Sequence, residues 1–235
     1  MPAGCVAVVI PTFNEAESIG SVVAELPRDI VTRIFVVDGG SSDGTQDRAR
    51  AAGAEVIPVG RGYGLACLTG AQAADESDII VFMDGDGADD PTAIAALIAP
   101  IRRGDYDFVI TSRARGEREP GSMAWHQILA GLIAGVLTKL LYGVRYTDMS
   151  AFRAIRRDTL LGLGMRELTY GWNLEMQMRV ARVGLRVLEL PVGYRRRLGG
   201  ESKVAGSLSG SFKAGVKIMS TFARVATEPM RERAS

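Results

Sequence analysis

The sequence predicts an α/β fold, in which a mostly parallel sheet carries helices on both faces and a C-terminal amphipathic helix follows. Three observations predict it. Short apolar runs alternate with helical patterns of about 10 to 15 residues, which favours right-handed crossovers between parallel strands. Polar, glycine-rich loops follow the first, second and fourth apolar runs. A chain of 235 residues that is 47% hydrophobic can bury one large core.

Each element follows from a local residue pattern. Five strands are predicted from apolar, β-branched runs at residues 6–10, 34–37, 55–59, 79–82 and 108–111. Helices are predicted after the first four strands, at residues 19–26, from Thr45 onward, up to about residue 74, and at 91–101. In the less regular second half, strands are predicted at residues 151–155 and 187–190, and a helix at 172–182.

Two further helices raise the question of a membrane surface. Residues 128–141 are apolar nearly all round, which favours a buried core helix, with contact with a lipid surface as the alternative. The last predicted helix, residues 208–226, carries Lys213, Lys217 and Arg224 on one face. Such a face is commonly solvated, but it can also bind an anionic membrane. We therefore predict one compact domain at residues 1–205 and an amphipathic helix with a loose tail at 206–235.

Composition limits the classes of function. Lys and Arg number 28 against 27 Asp and Glu, so the formal charge of +1 argues against a nucleic-acid partner. Cys5 and Cys67 lack CxxC spacing and are interpreted as reduced thiols of a cytosolic protein. No secretory signal is visible, and residues 128–141 are too short for a span and are interrupted by Lys139. A cytoplasmic location, with peripheral membrane contact as a further hypothesis, is expected.

Four aspartates follow the apolar run at residues 79–82. Asp84, Asp86, Asp89 and Asp90 fall at the carboxyl end of this predicted strand, where ligands bind in open α/β sheets. Carboxylates this close raise one another's pKa unless a cation neutralises them, and hard oxygen ligands suit Mg²⁺ or Mn²⁺. The alternative is a solvated acidic turn that caps a helix at Pro91, and Asp89 and Asp90 are interpreted as this turn and cap.

Two loops have the chemistry of a nucleotide pocket. Residues 38–45 (DGGSSDGT) lie between a strand and a helix, without a GxGxxG or P-loop motif, and their acids suit ribose hydroxyls or a base edge. In residues 197–203 (RLGGESK) glycines provide a hinge, while Arg197 and Lys203 can neutralise a leaving diphosphate. A solvated basic loop is the alternative for the second segment.

Residues 11–15 (PTFNE), 36–45 (VVDGGSSDGT) and 84–86 (DGD), in this order and spacing, resemble the inverting family 2 glycosyltransferases with the Rossmann-like GT-A fold. The resemblance covers residues 6–203 and is strongest to the polyprenyl-phosphate sugar transferases of the dolichol-phosphate mannose synthase type. It implies a nucleoside-diphosphate sugar as donor, with UDP or GDP, and a lipid phosphate or another small molecule as acceptor.

The resemblance also implies roles for individual residues. The nucleotide would be bound by Pro11, Thr12, Asn14, Glu15, Asp38, Gly40, Arg61, Gly64, Asp84 and Gly85. Asp84 and Asp86 would hold Mg²⁺ or Mn²⁺, while Arg197 and Lys203 would close over the diphosphate. Arg113 and Arg153, in segments 111–113 (TSR) and 147–153 (TDMSAFR), would bind the acceptor phosphate. For a hydroxyl acceptor, Asp148 or Glu175 is the candidate base, although Glu175 could instead pair with Arg179 one turn later.

Departures from the family pattern leave alternatives open. Gly39 stands where a second aspartate is usual, Tyr63 stands near a common lysine, and Ala151 replaces a glycine. These differences bear on which base is bound and leave a non-catalytic nucleotide-sugar-binding protein as an alternative. A nucleotidyltransferase is disfavoured because residues 11–15 lack a basic glycine-rich loop.

Overall fold

A seven-stranded sheet lies at the centre of the part of the chain described by the computed structural model, residues 4–199 and 208–228, with only the backbone for 208–217. The strands are β1 (Val6–Thr12), β2 (Arg33–Asp38), β3 (Glu55–Pro58), β4 (Ile79–Phe82), β5 (Phe108–Ser112), β6 (Arg153–Arg156) and β7 (Val187–Pro191). The helices are α1 (Ile19–Ala24), α2 (Thr45–Ala51), α3 (Tyr63–Ala73), α4 (Ile94–Arg102), α5 (Trp125–Tyr142), α6 (Arg157–Gly162), α7 (Trp172–Arg182) and α8 (Leu208–Thr227). The predicted α/β class is confirmed.

The sheet order is β3-β2-β1-β4-β6-β5-β7, and every neighbouring pair is parallel except the two that involve β6. This strand runs antiparallel between β4 and β5 and begins at Arg153, two residues later than predicted. Ser150 and Phe152, which precede this strand, contact the Thr111 side chain. The Thr111 hydroxyl shares a hydrogen bond with the Ser150 hydroxyl (2.7 Å) and donates to the Phe152 carbonyl (2.9 Å). The prediction of a strand at residues 151–155 was therefore wrong at its start.

Burial on both faces explains the unbroken apolar runs of the central strands. In β1, Val8 and Ile10 pack into one core layer, whereas Ala7 and Val9 pack into the layer on the opposite face. A strand that contacts helices on both sides needs apolar residues at every position. The parallel register places Thr12 opposite Asp38 and Val9 opposite Phe82, so the loops after β1, β2 and β4 meet at one edge of the sheet.

Helix α5 reverses the usual amphipathic arrangement. Its buried face consists of Gly131, Ala134, Gly135 and Thr138, and a Cβ atom on Gly135 would overlap the Tyr146 carbonyl oxygen. Its large side chains point outward, and the exposed ones are Trp125, Leu129, Leu132, Ile133, Val136, Leu140 and Leu141. The interpretation of residues 128–141 as a helix buried in the core was wrong, because close backbone packing, and not side-chain burial, attaches this helix.

Helix α8 packs on α7 and contributes to a third apolar cluster. Thr221 and Val225 are buried, and Arg224 forms an ion pair with Glu175 of α7. The prediction that Arg224 lies on a solvated basic face was wrong, whereas the side chains of Lys213 and Lys217 lie outside the described residues. None of the described helices is both long and apolar enough to cross a membrane.

Candidate active site

A cavity of about 570 Å³ opens at the sheet edge where β1 and β4 end. Eight predicted residues line it: Pro11, Thr12, Glu15, Arg61, Asp84, Gly85, Asp86 and Arg197. Seven residues without a predicted contact role also line it, and they include Phe13, Tyr63, Thr169 and Tyr170. Arg61 stacks on the Phe13 ring, with 4.0 Å between the guanidinium carbon and the ring centroid. The cavity is therefore mostly built from residues that follow strands directly.

Three neighbouring carboxyl groups lie at the floor of the cavity, where Asp84 and Asp86 line it and Asp89 lies buried behind them. Asp89 is buried, and its carboxylate accepts a hydrogen bond from the Asp84 backbone N–H at 3.2 Å. Burial, and then the charge of Asp86, raises the pKa of Asp84 to about 6. Burial, with the charges of Asp84 and Asp86, raises the pKa of Asp89 to about 8. Asp89 was interpreted from the sequence as a turn residue, whereas the capping role of Asp90 is confirmed, since Asp90 Oδ1 accepts from the Thr92 N–H at 3.1 Å.

The carboxylates of this floor fit a divalent cation. Asp84 and Asp86 offer hard oxygen ligands that face the cavity, and a bound cation would offset their mutual repulsion. No described set of three or more His, Cys, Asp or Glu side chains is arranged to hold a metal ion. Mg²⁺ and Mn²⁺ sites built from one or two carboxylates complete their coordination with substrate phosphates and water. Two carboxylates beside a nucleotide cavity therefore suit a metal that binds together with a diphosphate.

Tyr63 is a site residue whose role the sequence did not indicate. It starts α3, and its hydroxyl donates a hydrogen bond to Asp84 Oδ1 at 3.3 Å. Burial and the nearby charge of Asp84 raise the pKa of the Tyr63 hydroxyl, which therefore stays a donor. Through this hydrogen bond Tyr63 orients one of the two candidate metal ligands.

The basic residue Arg197 lines the same cavity, close to this floor. Its Nη2 atom is 3.0 Å from Glu15 Oε1 and 3.9 Å from Asp86 Oδ2. Arg197 therefore lies beside Asp86, one of the two carboxylates predicted to hold the metal, where its positive charge could neutralise a diphosphate. Lys203, predicted to act beside Arg197, lies outside the described residues.

Four predicted nucleotide contacts instead hold the cavity walls together. The Asp38 carboxylate is buried and accepts hydrogen bonds from the Gly40 N–H (3.2 Å) and the Ser41 N–H (2.9 Å). Asn14, in the left-handed region at φ 54°, accepts at Oδ1 from the Ser42 N–H at 3.1 Å. Gly64 lets α3 approach the backbone of residues 167–168. Asp38, Gly40 and Gly64 are not among the lining residues of the described cavities, and Asn14 lines a smaller cavity of about 140 Å³ that also includes Glu15.

Arg113 and Asp148 form a bidentate ion pair beside the acidic floor. Arg113 Nε lies 2.7 Å from Asp148 Oδ2, and Arg113 Nη2 lies 2.8 Å from Asp148 Oδ1. Burial would raise the pKa of Asp148, but the hydrogen bonds and charge of Arg113 outweigh it and lower that pKa. The Arg113 guanidinium also stacks on Tyr194 at 5.0 Å. Asp148 is thus an ionised partner of Arg113 and not a free base.

Arg153 lies deeper than predicted. Its side chain is fully buried, and its guanidinium donates to the backbone carbonyls of Ser150, Ala151 (3.1 Å) and Asn173 (3.2 Å). This burial does not favour direct contact with an acceptor phosphate, and the role of Arg153 in binding that phosphate stays a prediction. The motif at residues 147–153 drew attention to Arg153, but a local motif could not show that this arginine would begin an antiparallel strand and be buried by it.

Glu175 belongs to a separate ion-pair cluster. Its carboxylate is fully buried and lies 2.9 Å from Arg179 Nε and 3.0 Å from Arg224 Nη1. It also accepts hydrogen bonds from the backbone N–H groups of Arg166 (3.0 Å) and Glu167 (2.6 Å). The structure therefore favours the predicted alternative, pairing with Arg179, over a role as catalytic base.

Comparison with known proteins identifies relatives over most of the chain. The family described as "Glycosyl transferase family 2" matches residues 7–162. An uncharacterized glycosyltransferase of Mycobacterium tuberculosis is 35% identical over 218 residues, which cover 91% of this chain and 96% of the relative. The undecaprenyl-phosphate mannosyltransferase of Micrococcus luteus is 33% identical over 221 residues, covering 86% and 88%. The polyprenol monophosphomannose synthase of Mycolicibacterium smegmatis is 28% identical over 215 residues, covering 85% and 81%.

Solved structures share the architecture. Glucosyl-3-phosphoglycerate synthase from Mycobacterium tuberculosis, in complex with Mn²⁺, UDP-glucose and phosphoglyceric acid, superposes with a TM-score of 0.75 at 23% identity. The match covers 97% of this chain and 81% of that chain. At this level of identity the likeness concerns the fold, and it confirms the GT-A architecture predicted from the sequence.

Proposed function

The chain belongs to glycosyltransferase family 2, and from this premise we propose that it is a metal-dependent, inverting enzyme with a polyprenyl phosphate as acceptor. The donor would be a nucleoside-diphosphate sugar that carries UDP or GDP. The acceptor oxygen forms a bond to the anomeric carbon from the side opposite the diphosphate, while the bond to the diphosphate oxygen breaks. The products are a glycosyl polyprenyl phosphate and a nucleoside diphosphate.

The cavity residues divide the work on the donor. Asp84 and Asp86 would hold Mn²⁺ or Mg²⁺, and the bound cation supplies positive charge beside the diphosphate. Tyr63 orients Asp84 through the hydrogen bond of 3.3 Å. Arg197 would exchange its contact with Glu15 for the departing diphosphate, where negative charge develops as the bond breaks. Lys203 is proposed to act with Arg197.

One observation carries the choice of acceptor: both candidate bases are committed to ion pairs. Asp148 is held by Arg113 through two short contacts, and Glu175 is buried between Arg179 and Arg224. A hydroxyl acceptor needs a group that removes its proton, whereas a phosphate oxygen is already anionic at neutral pH. The names of the relatives from Micrococcus luteus and Mycolicibacterium smegmatis support a polyprenyl phosphate. Arg113, which is partly exposed beside the floor, is the proposed phosphate contact.

A polyprenyl acceptor requires contact with a membrane, and the exposed face of α5 is the proposed surface. Seven large apolar side chains project from this helix. The helix carries no acidic residue, and Lys139 and Arg145 are exposed at its C-terminal end. Apolar burial together with basic charge favours binding to anionic lipid.

Cosedimentation with anionic liposomes tests this membrane contact. The triple variant Leu129→Ser, Ile133→Ser and Leu140→Ser should lose most binding, because it removes the apolar contacts that would enter the lipid. Leu161→Ser, which alters an exposed leucine away from α5, should bind as the wild type does. Equal binding of the triple variant and the wild type would remove α5 as the membrane surface.

A transfer assay tests the proposed reaction. The purified protein is incubated with Mn²⁺, a panel of UDP-, GDP- and dTDP-sugars, and either a polyprenyl phosphate or the matching polyprenol. Transfer to the phosphate alone is expected. Transfer to the free polyprenol, or to phosphoglycerate as in the glucosyl-3-phosphoglycerate synthase complexes, would contradict the proposed acceptor. Nucleotide-sugar binding without transfer to any acceptor would favour a non-catalytic protein.

A further inference from the structure

One wall of the cavity is an irregular segment, residues 164–170. Thr169 and Tyr170 line the cavity, yet residues 164–168 belong to neither a helix nor a strand. The segment is anchored to α3 by one backbone contact, in which the Leu65 N–H donates to the Leu168 carbonyl at 2.9 Å. Because regular hydrogen bonding does not hold residues 164–168, their conformation depends on side chains from elsewhere.

Two buried carboxylates supply that support. Glu175 Oε2 accepts hydrogen bonds from the N–H groups of Arg166 and Glu167. Glu167 Oε1 in turn accepts from the Thr169 N–H at 3.0 Å and from the Thr169 hydroxyl at 2.6 Å. The position of Thr169 on the cavity wall is therefore set by Glu167, and the position of Glu167 is set by Glu175.

Helix α8 contacts both carboxylates from behind. The Thr221 hydroxyl donates to Glu167 Oε2 at 3.0 Å, and Arg224 Nη1 donates to Glu175 Oε1 at 3.0 Å. The two elements are in close contact, since a Cβ atom on Gly171 would overlap the Thr221 hydroxyl. Thr221 is buried, and neither Thr221 nor Arg224 is among the described residues that line the cavity.

We propose that Thr221 and Arg224 are positioning residues, through which the C-terminal helix holds the cavity wall at Thr169 and Tyr170 in its ligand-binding arrangement. The chain of contacts runs from Thr221 through Glu167 to Thr169. The effect on ligand binding rests on the proposed function, because it requires that the cavity bind a nucleotide. The effect on the conformation of the cavity wall does not depend on the proposed function.

Hydrogen–deuterium exchange of the backbone amides tests the contact without any ligand. Thr221→Val keeps the shape of the side chain but removes its hydroxyl, so exchange at residues 166–170 should rise. Thr221→Ser, which restores a hydroxyl, should return exchange to the wild-type rate. Thr227→Val is the matched control, because the exposed Thr227 hydroxyl donates only to carbonyls of its own helix. Unchanged exchange in a folded Thr221→Val variant would overturn the inference.

Steady-state kinetics and calorimetric titration with UDP or GDP, each with Mn²⁺, test the consequence for the cavity. Thr221→Val should weaken nucleotide binding and raise the donor KM about fivefold, the loss expected for one hydrogen bond, with kcat nearly unchanged. Thr221→Ser should recover the wild-type KM. Faster exchange without a change in nucleotide affinity would overturn the positioning role. Absence of nucleotide binding by the wild type would refute the proposed function, while the exchange experiment would still decide whether α8 holds the wall.

Discussion

Two clusters of carboxylates lie within this protein, and they differ in how their charge is balanced. The cavity cluster comprises Asp84, Asp86 and Asp89, and the ion pair described there joins Asp86 to Arg197 at 3.9 Å. The helical cluster comprises Glu167, Glu175 and Glu228. Arginines approach it much more closely, since Arg179 lies 2.9 Å from both Glu175 and Glu228, and Arg224 lies 3.0 Å from Glu175.

The difference indicates which cluster binds ligand and which maintains structure. Carboxylates paired with several guanidinium groups have little remaining attraction for a cation, and removing one member leaves its partners buried without a counter-charge. The cavity carboxylates repel one another, and the ion pair described for them, Asp86 with Arg197, spans 3.9 Å within the described part of the chain. They therefore keep a negative potential that an incoming cation can relieve. Whether a group of acidic residues binds a ligand or maintains structure therefore depends less on how many there are than on how closely arginines approach them.

The largest expected effect comes from Asp86→Asn. This variant keeps the side-chain shape but removes a candidate metal ligand, so sugar transfer should fall by about a thousandfold or more, as expected when several kcal/mol of charge stabilisation are lost. Denaturation curves should stay close to those of the wild type. Asp90→Asn in the same loop is the control, because Asp90 caps a helical turn, and it should retain most of its activity. An active Asp86→Asn enzyme would contradict the metal hypothesis.

Glu175→Gln should show the reverse pattern, with stability as the main loss. Breaking a buried ion-pair cluster is expected to lower the free energy of unfolding by about 3 kcal/mol, measured by urea denaturation. Asp158→Asn provides the comparison, because this carboxylate is 99% exposed and lies 3.8 Å from Arg157. Exposed pairs contribute little, so that variant should unfold like the wild type. Equal stability of the Glu175 variant and the wild type would remove the structural role of its cluster.

Ligand addition should stabilise the protein through the cavity cluster alone. Mn²⁺ together with the preferred nucleoside diphosphate should raise the free energy of unfolding by about 2.7 kcal/mol at one hundred times the dissociation constant. Thermal melts with and without a chelator measure this gain. Asp86→Asn should lose the metal-dependent part, whereas Asp158→Asn should keep it. A gain that survives chelation would show that binding does not need the metal.

The smallest effect is expected for Asp89→Asn without metal or nucleotide. The variant removes a buried carboxyl group whose pKa is raised by burial and by the charges of Asp84 and Asp86, a shift that lowers the stability of the wild type at neutral pH. Its amide oxygen can still accept from the Asp84 N–H. The free energy of unfolding should rise by roughly 1 kcal/mol, the order of one pKa unit. Chemical denaturation measures it, and a loss of stability would instead indicate that the Asp89 charge is balanced within the fold.

Predictions from the sequence succeeded best for residues that directly follow a strand. Asp84, Asp86 and Thr12 could be placed at one site because parallel strands end at a common edge. Arg153 and Glu175 were misplaced, since their depth depends on the antiparallel β6 and on α8. Tyr63 and Thr169 lie in or beside loops without a periodic pattern, so nothing local indicated that they would face the cavity.

The sequence by itself determined the α/β class, the family and the acidic strand end, because apolar periodicity and ordered motifs are local properties of the chain. The tertiary structure decided the roles of the charged residues. Asp86 and Glu175 are both acidic residues beside or within regular elements, and a local pattern cannot separate them. They differ because folding brings Arg179 and Arg224 within about 3 Å of Glu175, whereas the guanidinium described nearest to Asp86 is 3.9 Å away. Charge balance depends on distances between segments far apart in the chain, and those distances exist only in the folded protein.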